Sequence, residues 1–266
     1  MRKMVGVIGA GPAGVASSIM LKRYGIDVLL FERRNVGGLL NNAWRVENIP
    51  FLQPSAGEDL CRKLKDHLSR NGVELIREDA TAIHDRTILT TKASYVVDYS
   101  VVATGTMPKR LHALETDAKV VYEFRDIPDG TGAVAVYGAG DMAFDGAIRA
   151  KLTGRKTMLF ARSKTVRAID ALRVSAEKTG VELHMAEPIL RVDAIDSLLM
   201  ITTPQDVYYA EVLLVCIGRE PALPTIDSQR YEIIGDARGE IYRQASIAVG
   251  DGIRTAMRIA SQGGES

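Results

Sequence analysis

Two glycine-rich hexads lie far apart in this chain, Gly9-Ala10-Gly11-Pro12-Ala13-Gly14 and Gly138-Ala139-Gly140-Asp141-Met142-Ala143, each between an apolar strand-type run and a helix start. Residues of these types at this spacing bind pyrophosphate. The first glycine allows a tight strand-to-helix turn, the second lets the backbone approach the diphosphate, and the third glycine or alanine permits close packing of helix on strand. The free N–H groups and macrodipole at the helix N-terminus then attract the anion. A chain with two such hexads is predicted to hold two dinucleotides. The chemistry this makes available is passage of a hydride from a nicotinamide to a flavin.

The elements around the hexads must position them. The first hexad follows the run 4–8 and opens a helix over 13–24, with Val15, Ile19 and Met20 at helical spacing; a strand over 28–31 then ends in Glu32. That order completes a βαβ unit. Glu32 lies roughly twenty residues past the glycines, where a carboxylate accepts hydrogen bonds from the ribose hydroxyls of an adenosine. The second hexad follows the run 133–137 and opens a helix over 141–152, with the next strand at 156–160. No acid closes this unit: Arg162, Lys164 and Arg167 stand there, and neither Asp nor Glu occurs from Thr157 to Ile169. Guanidinium groups suit a ribose 2′-phosphate, so this site is predicted to prefer NADPH to NADH. The plainer alternative is a solvated basic loop.

With 266 residues and 46% apolar content, the chain has enough material for two modest α/β domains. Lys plus Arg, 34, nearly balances Asp plus Glu, 33, so no broad field points to nucleic acid or an anionic membrane. Arg2 and Lys3 before an apolar stretch imitate a signal peptide, but Gly9, Gly11, Pro12 and Gly14 interrupt it, and strand and turn already explain it. No apolar run of about eighteen residues marks a membrane span. The default expectation is a cytoplasmic protein.

The chain reads as α/β, with two Rossmann-like dinucleotide-binding domains of a three-layer β/β/α type, the second inserted into the first. Residues 1–108 hold the first βαβ unit, a Gly37-Gly38 loop, an amphipathic helix near 55–71, a strand at 73–77 and short alternating strands over 81–97. Residues 109–218 form the second domain, with its own helix, a meander over 189–209 and a closing strand at 212–216. The tail 219–266, with a strand at 231–234 and a helix over 242–261, is too short for a domain. It is expected to return and complete the first one.

The residues then carry a resemblance. Gly9-x-Gly11-x-x-Gly14, Glu32, Gly37-Gly38, Val46-Glu-Asn48-x-Pro50, Ala103-Thr104-Gly105, Gly138-x-Gly140-Asp141-x-Ala143, Ile217-Gly218-Arg219, Gly235-Asp236 and Arg243-Gln244-Ala245 together resemble the low-molecular-weight thioredoxin reductase family over essentially the whole chain. The resemblance implies an FAD domain interrupted by a pyridine-nucleotide domain, a homodimer, and domains that rotate between states. It places FAD against Gly9, Gly11, Pro12, Ala13, Gly14, Glu32 and Arg33; against Gly38, Leu39 and Asn48; against Ala80, Thr104 and Gly105; and against Gly235, Asp236, Arg243, Gln244 and Ala245. Asp236 would meet the ribityl chain. The helix opening at Arg243-Gln244-Ala245 would face the flavin pyrimidine edge, where its N–H groups offset negative charge. NADPH would meet Gly138, Gly140, Asp141, Met142, Ala143, Arg162, Arg167, Ile217, Gly218 and Arg219.

One departure bears on the chemistry. The family's redox Cys-x-x-Cys lies shortly before the second hexad, where this chain reads Val120-Val-Tyr-Glu-Phe-Arg-Asp-Ile127. Only Cys61 and Cys216 remain, both in apolar-periodic contexts that favour core packing. No residue is therefore assigned a catalytic role beyond holding the cofactors, and electrons are expected to pass from flavin to an outside acceptor: a quinone, a small redox protein, a disulfide or oxygen. The rivals are a disulfide reductase using Cys61, Cys216 or partner thiols, and a flavin redox sensor that turns over poorly. A ferredoxin–NADP reductase is a further alternative, in doubt because that group usually extends further beyond the last helix. His67, His84, His112 and His184 are scattered and predict no metal site, only surface or capping roles. Trp44 either shields the flavin or fills the core of the first domain. Asp141 either caps the cofactor helix or meets the nicotinamide side.

Overall fold

A computed structural model describes residues 3–116 and 119–262. Residues 1–2 and 263–266, assigned to the first domain from sequence, lie outside the described residues. The described residues fold as two compact units: those up to 41, 45–107 and those from 220 on form unit 1, and 42–44 with those between 108 and 219 form unit 2. The segment Asn42–Trp44 thus joins unit 2, although it falls within the span that the sequence assigns to the first domain.

Unit 1 opens with β1 (Met4–Ile8), α1 (Pro12–Arg23) and β2 (Asp27–Phe31), and continues through α2 (Gly57–Arg70), β3 (Glu74–Ile76), β4 (Ala80–His84), β5 (Thr87–Thr90), β6 (Ser94–Val96) and β7 (Tyr99–Val102). Proline at the first position of α1 sets the start one residue before Ala13, because its ring fixes a helical φ and its missing N–H is not needed there. Ser55 does not open α2; it bridges antiparallel to Val46, and the helix starts at Gly57. β8 (Thr106–Pro108) leads into unit 2.

Unit 2 contains β9 (Val120–Val121), β10 (Val134–Tyr137), α3 (Asp141–Leu152), β11 (Thr157–Ala161), α4 (Asp170–Thr179), β12 (Glu182–Met185), β13 (Arg191–Ile195), β14 (Leu198–Thr202), β15 (Val207–Ala210) and β16 (Val212–Val215). The α4 helix stops at Gly180, whose φ of 80° gives the left-handed C-terminal signal. β17 (Arg219–Pro221) leads out, and β18 (Thr225–Asp227), β19 (Tyr231–Ile233) and α5 (Ala245–Ser261) return to unit 1. The last helix begins at Ala245, since Gln244 is extended.

Each unit has the same three layers. In unit 1 a five-stranded sheet, order β19-β7-β1-β2-β3, pairs parallel throughout. One face packs Val5, Val7, Val28 and Leu30 against α1 and α5; the other packs Ile8, Phe31 and Val102 against Ile83 and Ile88 of the small sheet β18-β4-β5-β6. Unit 2 repeats this with the parallel sheet β12-β11-β10-β16-β9 and the antiparallel sheet β13-β14-β15. Val134 and Val136 face α3, while Ala135 and Tyr137 face Leu199 and Ile201 of the antiparallel sheet, as two-residue strand periodicity requires. Burial on both faces explains why these strands read as unbroken apolar runs.

Candidate functional site

Both glycine hexads follow the C-terminal end of a parallel strand and run into a helix, α1 in unit 1 and α3 in unit 2. Gly9 has φ of +102°, and a Cβ there would stand 2.4 Å from the carbonyl oxygen of Ala103. A Cβ at Gly14 would fall 1.8 Å from the oxygen of Gly9. In front of Gly11, by contrast, there is nothing within 4 Å. The turn is therefore sealed behind and open on the side where α1 presents its free N–H groups, the shape that admits an anion.

Beside this turn lies a cavity of about 270 Å³, lined by Gly9, Glu32, Arg33, Ala80 and Thr104 among others. The structure thus brings together five residues that are scattered along the sequence. Glu32 is held in place by two backbone donors, the N–H of Ala10 at 2.9 Å and that of Arg34 at 2.8 Å. The buried Thr104 hydroxyl at this wall has no hydrogen-bond partner among the described residues. Glu78, Asp79, Met107 and Leu223 also line it. Sequence reasoning missed these, and no spacing rule could have found them.

Several of the remaining unit 1 residues lie at the starts of α1 and α5. Gly38 lies close to Gly11, its Cβ position 3.2 Å from the Gly11 Cα, and Leu39 follows it in a short 3₁₀ turn. Gly235 rests on Ala13, and Asp236 lies in the 3₁₀ turn Gly235–Arg238. Gly252 lets α5 approach α1 so closely that a Cβ would sit 2.2 Å from the Ala13 oxygen. The Asn48 amide donates to the Gln244 side-chain oxygen at 2.5 Å, joining two residues far apart in sequence. Gln244 is the N-cap of α5, whose first residue is Ala245, and Arg243 is exposed beside it. Gly105 accepts a backbone bond from Ala222 at 3.1 Å.

In unit 2 the turn is built the same way. A Cβ at Gly138 would meet the Cys216 carbonyl oxygen at 2.4 Å, whereas nothing lies within 4 Å in front of Gly140. Ala143 packs beneath Gly138, and Met142 is exposed at the start of α3. Ile217 and Gly218 continue from β16, and the Gly218 carbonyl accepts from the Lys109 N–H at 3.0 Å. Arg162, Lys164 and Arg167 are all exposed on the loop after β11. Asp141 does not cap its own helix: the N-cap is Gly140, without a side-chain bond, and the Asp141 carboxylate accepts from the Ile169 N–H at 3.0 Å.

Arg219 sits differently from the basic loop. Its guanidinium is 5% exposed and ion-paired at 2.8 Å with Glu123, itself 8% exposed. The Asn42 amide donates to the other Glu123 oxygen at 2.5 Å, and the Arg149 guanidinium donates to the Asn42 carbonyl at 3.1 Å. The Trp44 N–H donates to Asp145 at 3.0 Å. Burial raises the Asp145 carboxyl to about 6, against the lowering effect of the Trp44 N–H and Arg149. The Trp44 ring packs with the helix-side core of unit 2, which corrects the alternative that it fills the core of the first domain.

Neither cysteine is in a disulfide. Cys61 is buried behind Gly37. Burial, with the Glu123 charge in addition, pushes the Cys216 thiol up to about 12, so almost none of it is the nucleophilic thiolate at neutral pH. His67, His84 and His112 are exposed, whereas His184 stacks on Phe160 at 4.6 Å and lies 3.1 Å from the Glu187 carboxylate, an interior position rather than the surface or capping role expected. Among the described residues no cluster could hold a metal ion.

Comparison with known proteins agrees with this architecture. A family model described as pyridine nucleotide-disulphide oxidoreductase matches residues 3–258. The "34.2 kDa protein in rubredoxin operon" of Clostridium pasteurianum is 30% identical over 154 residues, which cover 53% of this chain and 50% of that protein. A thioredoxin reductase of Ureaplasma parvum is 30% identical over 185 residues, 65% of this chain and 59% of the relative. The matched stretches therefore span between half and three fifths of those relatives' own lengths. The solved thioredoxin reductase of T. acidophilum superposes with a TM-score of 0.87 at 18% identity, covering 98% of this chain and 99% of the other, a likeness of fold.

Proposed function

Because the chain belongs to the pyridine nucleotide-disulphide oxidoreductase family, we propose that it is an FAD-dependent oxidoreductase that takes hydride from NADPH and passes electrons to an acceptor outside the chain. Unit 1 is the FAD domain and unit 2 the NADPH domain in this reading. The observation that carries it is the pair of glycine turns, each closed behind and open at a helix N-terminus, one per unit. FAD fits the residues of unit 1: the cavity beside the first turn would take the adenosine end, the Glu32 carboxylate would accept from ribose hydroxyls, and the Thr104 hydroxyl would gain a partner. Gly11 and the α1 N-terminus face the diphosphate, and Asp236 accepts from the ribityl chain. Asn48, Gln244 and the N-terminus of α5 hold the pyrimidine edge. Bound FAD would supply the two-electron chemistry; the protein orients it, excludes water and stabilises negative charge.

In unit 2 the Gly140 turn and α3 receive the nucleotide diphosphate, and Arg162 and Arg167 meet the 2′-phosphate. The chain carries no disulfide in its own electron path, and a Cys216 thiol held near 12 favours direct transfer from flavin to a quinone, small redox protein, external disulfide or oxygen. No described helix is long and apolar enough to cross a membrane. The enzyme acts in the cytoplasm as a homodimer, a state that exposed Ile247, Ile253 and Met257 on α5 are consistent with.

Two measurements test the reading. The purified protein is expected to be yellow, and Asp236→Ala is expected to weaken FAD retention by roughly 1.5 to 3 kcal/mol, the worth of a hydrogen bond to a charged group. A protein that stays colourless after incubation with excess FAD would refute the assignment. Anaerobic reductive titration is expected to take up about two electrons per FAD, the capacity of the flavin alone. The double variant Cys61→Ser, Cys216→Ala is expected to keep its rates with NADPH and with quinone or dye acceptors, losing only some stability. Uptake of about four electrons, or loss of acceptor turnover with flavin bleaching intact, would establish a disulfide relay instead.

A further inference from the structure

The loop 162–169 between β11 and α4 carries Arg162, Lys164 and Arg167, and its 167–169 end is bonded to Ala139 and Asp141 beside the glycine turn. Its basic side chains are exposed, and backbone bonds fasten it. The N–H groups of Arg167 and Ala168 donate to the Ala139 carbonyl at 2.8 and 3.1 Å, and the Ile169 N–H donates to the Asp141 carboxylate at 3.0 Å. Asp141 is the first residue of α3, where a diphosphate is expected to approach. A carboxylate at a helix start is favoured by the helix N-terminus, and it can offer a further gain besides. Its bond supplies one: Ile169 is the N-cap of α4 and has no side-chain cap bond of its own, and its N–H is one of those a helix leaves unpaired at its start.

We propose that Asp141 is a positioning residue for nucleotide selection. By capping α4 from the neighbouring helix, it holds the basic loop against the glycine turn, so that Arg162 and Arg167 are in place before the 2′-phosphate arrives. It acts through the loop, by the bond its carboxylate accepts from the Ile169 N–H. This rests on the reading of unit 2 as an NADPH site.

Isothermal titration of the FAD-loaded protein with NADP⁺ and NAD⁺ tests it. In Asp141→Ala the dissociation constant for NADP⁺ is expected to rise about tenfold, in line with loss of a helix cap, while that for NAD⁺ moves less than about twofold. Asp141→Asn keeps an acceptor oxygen and is expected to bind NADP⁺ at least as tightly as the unmutated protein. Equal weakening of both nucleotides in Asp141→Ala, no change in either, or an Asn variant as weak as the Ala variant would each overturn the proposal. Should the unmutated protein bind NADP⁺ and NAD⁺ alike, the NADPH reading itself fails and the positioning role with it. A clear NADP⁺ preference left untouched by Asp141→Ala would sink the positioning role alone.

Discussion

Replacing Arg162 and Arg167 together by glutamate is expected to lower the efficiency of flavin reduction by NADPH about a hundredfold, on the order of 3 kcal/mol, through loss of charge-assisted contacts and new repulsion. The same change is expected to spare NADH, which brings no 2′-phosphate to the loop, so nucleotide preference shifts towards NADH. Because both arginines are exposed, their attraction for the phosphate is screened by salt. Discrimination in the unmutated protein is therefore expected to narrow as ionic strength rises. Stopped-flow bleaching of the flavin with each nucleotide measures both effects. Equal reduction of the unmutated flavin by NADPH and NADH would make the basic loop an ordinary solvated surface.

Arg219→Ala is expected to destabilise the folded protein by about 3 to 5 kcal/mol, the range for removing one partner of a buried ion pair. Glu123, 8% exposed, would keep the Asn42 amide but lose its opposing charge. The large effect comes from the stranded carboxylate, more than from the worth of the pair. Hence the double replacement Glu123→Leu, Arg219→Met is expected to recover part of the loss, since apolar side chains of similar volume remove the desolvation cost of both charges but leave the buried Asn42 amide without its acceptor. Urea unfolding followed by far-ultraviolet circular dichroism provides the comparison. A single variant that loses less than about 1 kcal/mol would mean that water reaches the pair and screens it.

These two sites differ in how far they could be seen without the fold. The glycine hexads and their βαβ context were legible because each is set by contacts within a few residues and by strand and helix periodicity, which a linear pattern records. The basic loop after β11 could be read the same way, as charge at a known offset from a turn. Arg219 could not. It lies among residues that the family resemblance assigns to the nucleotide, yet its guanidinium turns to Glu123, and only the packing of unit 2 brings those two together.

By itself, the sequence determined the two glycine turns between strand and helix, the α/β class, and the lack of a Cys-x-x-Cys before the second turn. These follow from local backbone sterics, from strand periodicity and from residue identity. The tertiary structure decided what depends on topology: that Ala80 and Thr104 share a cavity wall with Glu32, that Asn48 meets Gln244, that Asn42–Trp44 belongs with unit 2, and that Asp141 caps α4 instead of its own helix. The physical reason is the same in each case. A hydrogen bond or cavity wall between residues tens of positions apart forms only because sheet order and helix packing bring them into contact, and no spacing along the chain encodes that proximity.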